Sequence, residues 1–249
     1  VFVVQPTNPP ASNVIELLMI VDALKRSSAG RITVVVPYFG YARQDRKDQP
    51  RVAIGAKLMS NLITVAGADR VMTLDLHSHQ IQGFFDIPSD HLYSAPLFVN
   101  SFTALDLDNM VVMSPDIGGA KMARGFAGRL GCPIAFIEKR RPKPNVAVTM
   151  NVIGDVKGKN VFLVDDIIDT GGSLVSAIEA LAEQGPQSIH VAVTHAILSG
   201  QAPEILQNSP ATQVAVTDTV LIPDHKVFPK LKVISVCELL GKAMSYIHN

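Results

Sequence analysis

Read for its apolar positions, the chain is a series of short hydrophobic runs set between amphipathic stretches. The runs are "VFVV" (1–4), "ITVVVPY" (32–38), "RVMTLDL" (70–76), "MVVMSPD" (110–116), "NVFLVDD" (160–166), "IHVAVTH" (189–195), "QVAVTD" (213–218) and "KVISV" (232–236). Several are apolar at consecutive rather than alternate positions, which predicts strands buried on both faces. Helical spacing of apolar residues predicts helices over 14–25, 53–65, 120–130 and 174–184. Strands alternating with helices in this way predict a parallel α/β architecture.

One local unit recurs: helix, short glycine-containing turn, strand. It is written "ALKRSSAGRITVVVP", "LITVAGADRVMTLDL" and "ALAEQGPQSIHVAVTH", with Gly67 and Gly185 where a helix must end in a left-handed residue. The third copy lies far downstream of the first two, so two similar α/β domains are expected. The change of texture at "IPSDHLYSAP" puts their boundary between His91 and Ala95, giving domains over 1–93 and 94–249. No apolar run approaches the ~18 to 20 residues that cross a bilayer. No basic-then-apolar leader opens the chain, and it starts on a strand pattern without methionine, which reads as a piece of something longer.

Composition narrows the function classes. With 22 Lys and Arg against 22 Asp and Glu, the balanced charge argues against a broad nucleic-acid or anionic-membrane surface. Hydrophobic residues at 47% suffice for well-filled cores. Cys132 and Cys237 fit no metal-ligand spacing and read as small core residues in a reducing compartment.

Ligands of open α/β sheets sit beyond the carboxyl ends of the strands, so the residues following each run carry the chemistry. After "VFLV" comes "DDIIDTGGS". Gly171 and Gly172 let backbone N–H groups approach an anion, and the helix starting there points its positive end at it. Thr170 and Ser173 add hydroxyl donors, while Asp165 and Asp166 can accept from hydroxyls or hold a hydrated magnesium ion. Two adjacent carboxylates repel. They make sense where a cation or sugar hydroxyls bridge them.

The other strand ends are also charged. "PYFGYARQDRKDQPR" carries arginines whose forks match phosphate oxygens, although such a run taken alone is more often a solvated face. "TLDLHSHQIQGFFD" is expected to put Asp75 and His77 on one side of an extended segment, and "MSPDIGGAK" sets Asp116 ahead of two glycines at a helix start. In "EKRRPKPNVAV", Pro142 and Pro144 oppose a helix, so Lys139, Arg140 and Arg141 are expected on a mobile basic loop.

The stretch "VFLVDDIIDTGGS" resembles the phosphoribosyl-diphosphate signature of type I phosphoribosyltransferase folds. Together with "PYFGYARQDRK", "DLHSHQIQGFFD", "SPDIGGAK" and "EKRRPKPN", the chain resembles the class I ribose-phosphate diphosphokinase family over nearly its whole length. The resemblance implies two type I phosphoribosyltransferase-like domains with mainly parallel sheets flanked by helices. It implies transfer of the diphosphoryl group of ATP to the 1-hydroxyl of ribose 5-phosphate, for nucleotide biosynthesis in the cytoplasm.

By position, it implies Asp169, Thr170, Gly171, Gly172 and Ser173 on the 5-phosphate, with Asp165 and Asp166 near the ribose hydroxyls. Arg43, Gln44, Asp48 and His77 would bind ATP, His77 and Asp116 would serve magnesium (Mg2+), and Lys139 and Arg141 would be catalytic. It further implies a homo-oligomer on a hexameric plan, with inorganic phosphate and ADP as effectors, a segment ahead of Val1 and a C-terminal return to the first domain after Asn249. Two other readings of the same residues are a non-catalytic regulatory paralogue and a phosphoribosyltransferase that consumes phosphoribosyl diphosphate.

Overall fold

A computed structural model describes residues 1–102, 109–140 and 149–248. The chain divides into two compact units, Val1–Ser94 with the C-terminal stretch from Cys237, and Ala95–Val236. The break after Ser94 falls inside the expected boundary region.

The first unit is a parallel four-stranded sheet in chain order: β1 (Phe2–Val4), β2 (Thr33–Val36), β3 (Arg70–Leu74) and β4 (Ser89–Leu92). Helix α1 (Ser12–Arg26) links β1 to β2, and α2 (Gly55–Ala66) links β2 to β3. A 3₁₀ turn over His79–Phe84 leads into β4. The core packs Leu17 and Val21 of α1 and Ile63 of α2 against Val34, Val36 and Val71.

In the second unit, α3 (Ala95–Ser101) precedes β5 (Met110–Ser114), α4 (Ala120–Leu130), β6 (Ile134–Arg140) and β7 (Thr149–Ile153). Then come β8 (Asn160–Ile168), α5 (Gly172–Ala182), β9 (Ser188–Ala196), α6 (Ala202–Asn208), β10 (Gln213–Thr217) and β11 (Leu231–Ile234). They form a seven-stranded sheet in the order β11-β10-β9-β8-β5-β6-β7, parallel except for the β6–β7 pair.

Side chains alternate across a strand, and here both faces are covered. Val111, Met113, Val161, Leu163, Val191, Val193, Val214 and Val216 enter one core cluster. Their immediate neighbours Met110, Val112, Phe162, Val164, Ala192 and Ala215 enter the other. That two-sided burial is why the strands read as continuous apolar runs.

The two units repeat one connection pattern. In each, four strands lie side by side in chain order, joined by helix, helix and a 3₁₀ turn: β1 to β4 in the first, β8 to β11 in the second. The second 3₁₀ turn spans Asp224–Lys226. Gly67 and Gly185 both take the left-handed backbone expected of helix-ending glycines.

Four expectations are corrected. Residues 237–249 were assigned to the second domain, with the return to the first placed beyond Asn249. Instead helix α7 (Cys237–His248) belongs with the first unit, where the Arg31 guanidinium donates to the Ile247 carbonyl at 2.6 Å. Cys237 is exposed and Cys132 half-buried, so neither is a core cysteine, and they form no disulfide. The expected basic loop starts later, because β6 runs through Lys139 and Arg140, which pair with Met150 and Thr149 of β7. The rest of that loop, Arg141 included, lies outside the described residues. Finally, Asp75 and His77 do not share a side: Asp75 is buried and His77 exposed. Among the described residues, no helix is long and apolar enough to cross a membrane.

Candidate active site

In the first unit the chemistry gathers at the ends of β2 and β3. The segment after β2 turns at Gly40 and Tyr41, whose φ of 65° is left-handed, and runs back over the start of α2. The Ala56 N–H donates to the Gln44 carbonyl at 3.2 Å and ties the segment to that helix. The result is a pocket of about 320 Å³ lined by Arg43, Gln44, Asp45, Arg46, Asp48, Val52, Ala53 and His77. All four residues expected to bind ATP therefore line one cavity.

His77 reaches that cavity because β3 stops abruptly. Asp75 follows it with φ 37°, and its buried carboxylate accepts from the Ser94 N–H at 3.1 Å and from the Ser94 hydroxyl. The Leu76 N–H donates to His91 Nε2 at 3.0 Å. Two successive residues are thus pinned inward, and the next one projects.

In the second unit the acids stand on the sheet itself. β8 does not end at "VFLV" but carries Asp165 and Asp166 within the strand, paired with β9. The neighbouring strand β5 ends in Ser114, and Asp116 follows. Ser114 donates to the Asp116 carbonyl at 2.6 Å, and the Gly119 N–H donates to Asp116 Oδ1 at 3.0 Å. A side chain at Gly119 would collide with the Ser114 hydroxyl, so glycine is what lets this turn close.

Burial, then the Asp166 carboxylate, and also Asp116, push the Asp165 carboxyl well above the usual carboxylate range. The Asp166 N–H, donating to Asp165 Oδ1 at 2.9 Å, opposes this without cancelling it. Three carboxylates, two on β8 and one just past β5, thus crowd together in a way that favours protonation or hydroxyl donors.

Past the strand, Gly171 takes φ 77° and opens α5. A side chain there would both adopt an unfavourable backbone conformation and press on Ile205 Cδ1 of α6, 3.3 Å from the Cβ position. Thr170, Gly172 and Ser173 are exposed. Among the described residues none accepts a hydrogen bond from the backbone N–H of residues 170–173. Open N–H groups at the positive end of a helix make an anion cradle.

Among the expected metal residues, His77 lies in the first unit and Asp116 in the second. Among the described residues, no group of three or more His, Cys, Asp or Glu is arranged as a metal cage. Lys139 is a residue of β6, and Arg141 is outside the described residues. The pocket residues Asp45 and Arg46 belong to the charged run read after the second strand, whereas Val52 and Ala53 were not expected at a site. Only the start of the following helix could have pointed to the last two.

In the second unit a glycine turn thus opens a helix directly after a parallel strand bearing carboxylates. Residues 95–220 match the family described as the phosphoribosyl transferase domain. Residues 1–67 match the N-terminal domain of ribose phosphate pyrophosphokinase. The chain is 55% identical over 249 residues to a ribose-phosphate pyrophosphokinase from Chlorobaculum tepidum, covering 100% of this chain and 77% of that one. It is 50% identical to one from Oceanobacillus iheyensis, covering 100% and 79%. The crystal structure of phosphoribosylpyrophosphate synthetase from Mycobacterium smegmatis superposes with a TM-score of 0.93 at 42% identity, covering 99% of this chain and 82% of that one. The chain belongs to the ribose-phosphate pyrophosphokinase family.

Proposed function

We propose that the chain transfers the diphosphoryl group of ATP to the 1-hydroxyl of ribose 5-phosphate, giving 5-phosphoribosyl 1-diphosphate and AMP. The observation that carries this reading is the Arg43–His77 pocket. A transferase that starts from an already activated ribose needs no site for a nucleoside triphosphate. This chain has a second polar pocket, in its other unit, lined by two arginines, as a nucleotide polyphosphate requires.

Arg43, Gln44, Asp48 and His77 hold ATP. Asp169, Thr170, Gly171, Gly172 and Ser173 hold the 5-phosphate through hydroxyls and backbone N–H groups, and Asp165 and Asp166 accept hydrogen bonds from the ribose hydroxyls. Lys139 and Arg141 neutralise charge on the diphosphoryl group as it moves, since such transfers need positioning and charge compensation more than covalent help. Asp116 offers the oxygen donor magnesium prefers, and His77, a nitrogen donor, fits it better through retained water. When bound, Mg2+ supplies charge compensation for the polyphosphate.

We place the enzyme in the cytoplasm, where the exposed Cys237 thiol is compatible with a reducing medium. A homo-oligomer on a hexameric plan rests on the family resemblance. Inorganic phosphate and ADP as effectors rest on the family resemblance alone.

The test is phosphorus NMR of the protein with ATP, Mg2+ and ribose 5-phosphate. Appearance of AMP with a diphosphate ester on the ribose supports the assignment. Formation of ADP with a monophosphate ester, or consumption of phosphoribosyl diphosphate only when a nucleobase is added, would replace it.

A further inference from the structure

Gln44 is exposed and borne on an irregular segment, a poor starting point for precise contact with a ligand. A glutamine side chain with free rotamers loses much entropy when fixed. The structure nevertheless gives this one a seat. Gly55, the buried first residue of α2, leaves a notch in the helix start, and the Gln44 amide lies in it. A Cβ placed on Gly55 would overlap Gln44 Oε1 and would stand 3.2 Å from both Gln44 Cβ and Cδ. The 3.2 Å bond from the Ala56 N–H to the Gln44 carbonyl holds the backbone in register with that notch. Residues leading into the helix, Val52 and Ala53, line the same pocket as Gln44.

Nothing else accounts for glycine at this position. Its φ lies outside the left-handed range, so no conformational demand excludes a side chain, and alanine is the better helix former. The helix start has no side-chain cap that a methyl group would disturb. The closest clash falls on the far end of a flexible side chain, so the fold can absorb a methyl group by expelling the glutamine amide and yielding a few tenths of an ångström at the Gln44 Cβ.

We infer that Gly55 is a positioning residue: its missing side chain seats the Gln44 amide in advance, so that the nucleotide pocket binds without first ordering that side chain. The inference rests on the reading of this pocket as the ATP site. Serine and larger residues at 55 act like alanine, because the Cβ alone is responsible.

The experiment is a double-mutant cycle of G55A, Q44A and G55A/Q44A, read by thermal melting, by titration with a non-hydrolysable ATP analogue and by steady-state kinetics. G55A is expected to melt at or above the wild-type temperature. It should weaken the analogue and raise the ATP KM by about two- to tenfold, the scale of ordering one rotamer-rich side chain. The KM for ribose 5-phosphate should stay unchanged. In the Q44A background G55A should add nothing, because its effect runs through the amide. If Q44A itself leaves nucleotide binding at the wild-type level, the pocket is not the ATP site. If Q44A weakens binding but G55A is silent, or the two effects add, then Gly55 does not position Gln44 and the inference is overturned.

Discussion

Desolvation, the Asp166 carboxylate and Asp116 push the pKa of half-buried Asp165 well up. Because the folded pKa lies above the unfolded value, the native state takes up the proton first as pH falls. The group therefore favours folding in acid, and that contribution is lost as pH rises through the folded pKa. Asp165→Asn keeps the oxygen that accepts from the Asp166 N–H and removes the charge. Its melting temperature should exceed the wild type's at neutral pH, and the gap should close toward about pH 4, near the unfolded carboxylate value. A variant less stable at neutral pH, or a gap independent of pH, contradicts this electrostatic account. A strained charge of this kind is a common companion of a working site. The adjacent pair of acids was legible in the sequence, because two carboxylates beside a buried strand have few structural uses. Asp116 as the third was not, since only strand order brings β5 beside β8.

Among the elements, the strands buried on both faces were read well, for their apolar runs are long and unbroken. β4, β6 and β7 were missed. "SDHL" is a polar edge strand with every residue half-buried, and β6 and β7 flank the basic, proline-rich stretch that read as a loop. The short helices α3 and α6, seven residues each, offer too few turns for a period to show. Two predictions belong here. Gly171→Ala should cost about 1–2 kcal/mol in urea unfolding, from the left-handed backbone at φ 77°. It should also raise the KM for ribose 5-phosphate, since the turn it distorts is the one proposed to hold the 5-phosphate. A variant normal in both would remove the turn from the site. Lys139 now stands at the end of a paired strand, a firmer support than a loop. If it stabilises charge that develops during transfer, Lys139→Ala should lower kcat by at least ~100-fold. The KM for ATP should move far less. Near-normal kcat with weakened ATP binding would make Lys139 a substrate clamp instead.

For the whole molecule, the recurring helix–turn–strand unit announced two similar domains, and the repeated run of four parallel strands is its structural form. The return of α7 to the first unit was not legible, because chain order alone does not say which core a last helix joins. The central claim is that the chain transfers the diphosphoryl group of ATP to ribose 5-phosphate. The direct measurement is the amount of AMP and of phosphoribosyl diphosphate formed from ATP and Mg2+, with and without ribose 5-phosphate. The account predicts equal amounts of the two products and neither when ribose 5-phosphate is withheld. ADP as the nucleotide product, or AMP formed without ribose 5-phosphate, would contradict it.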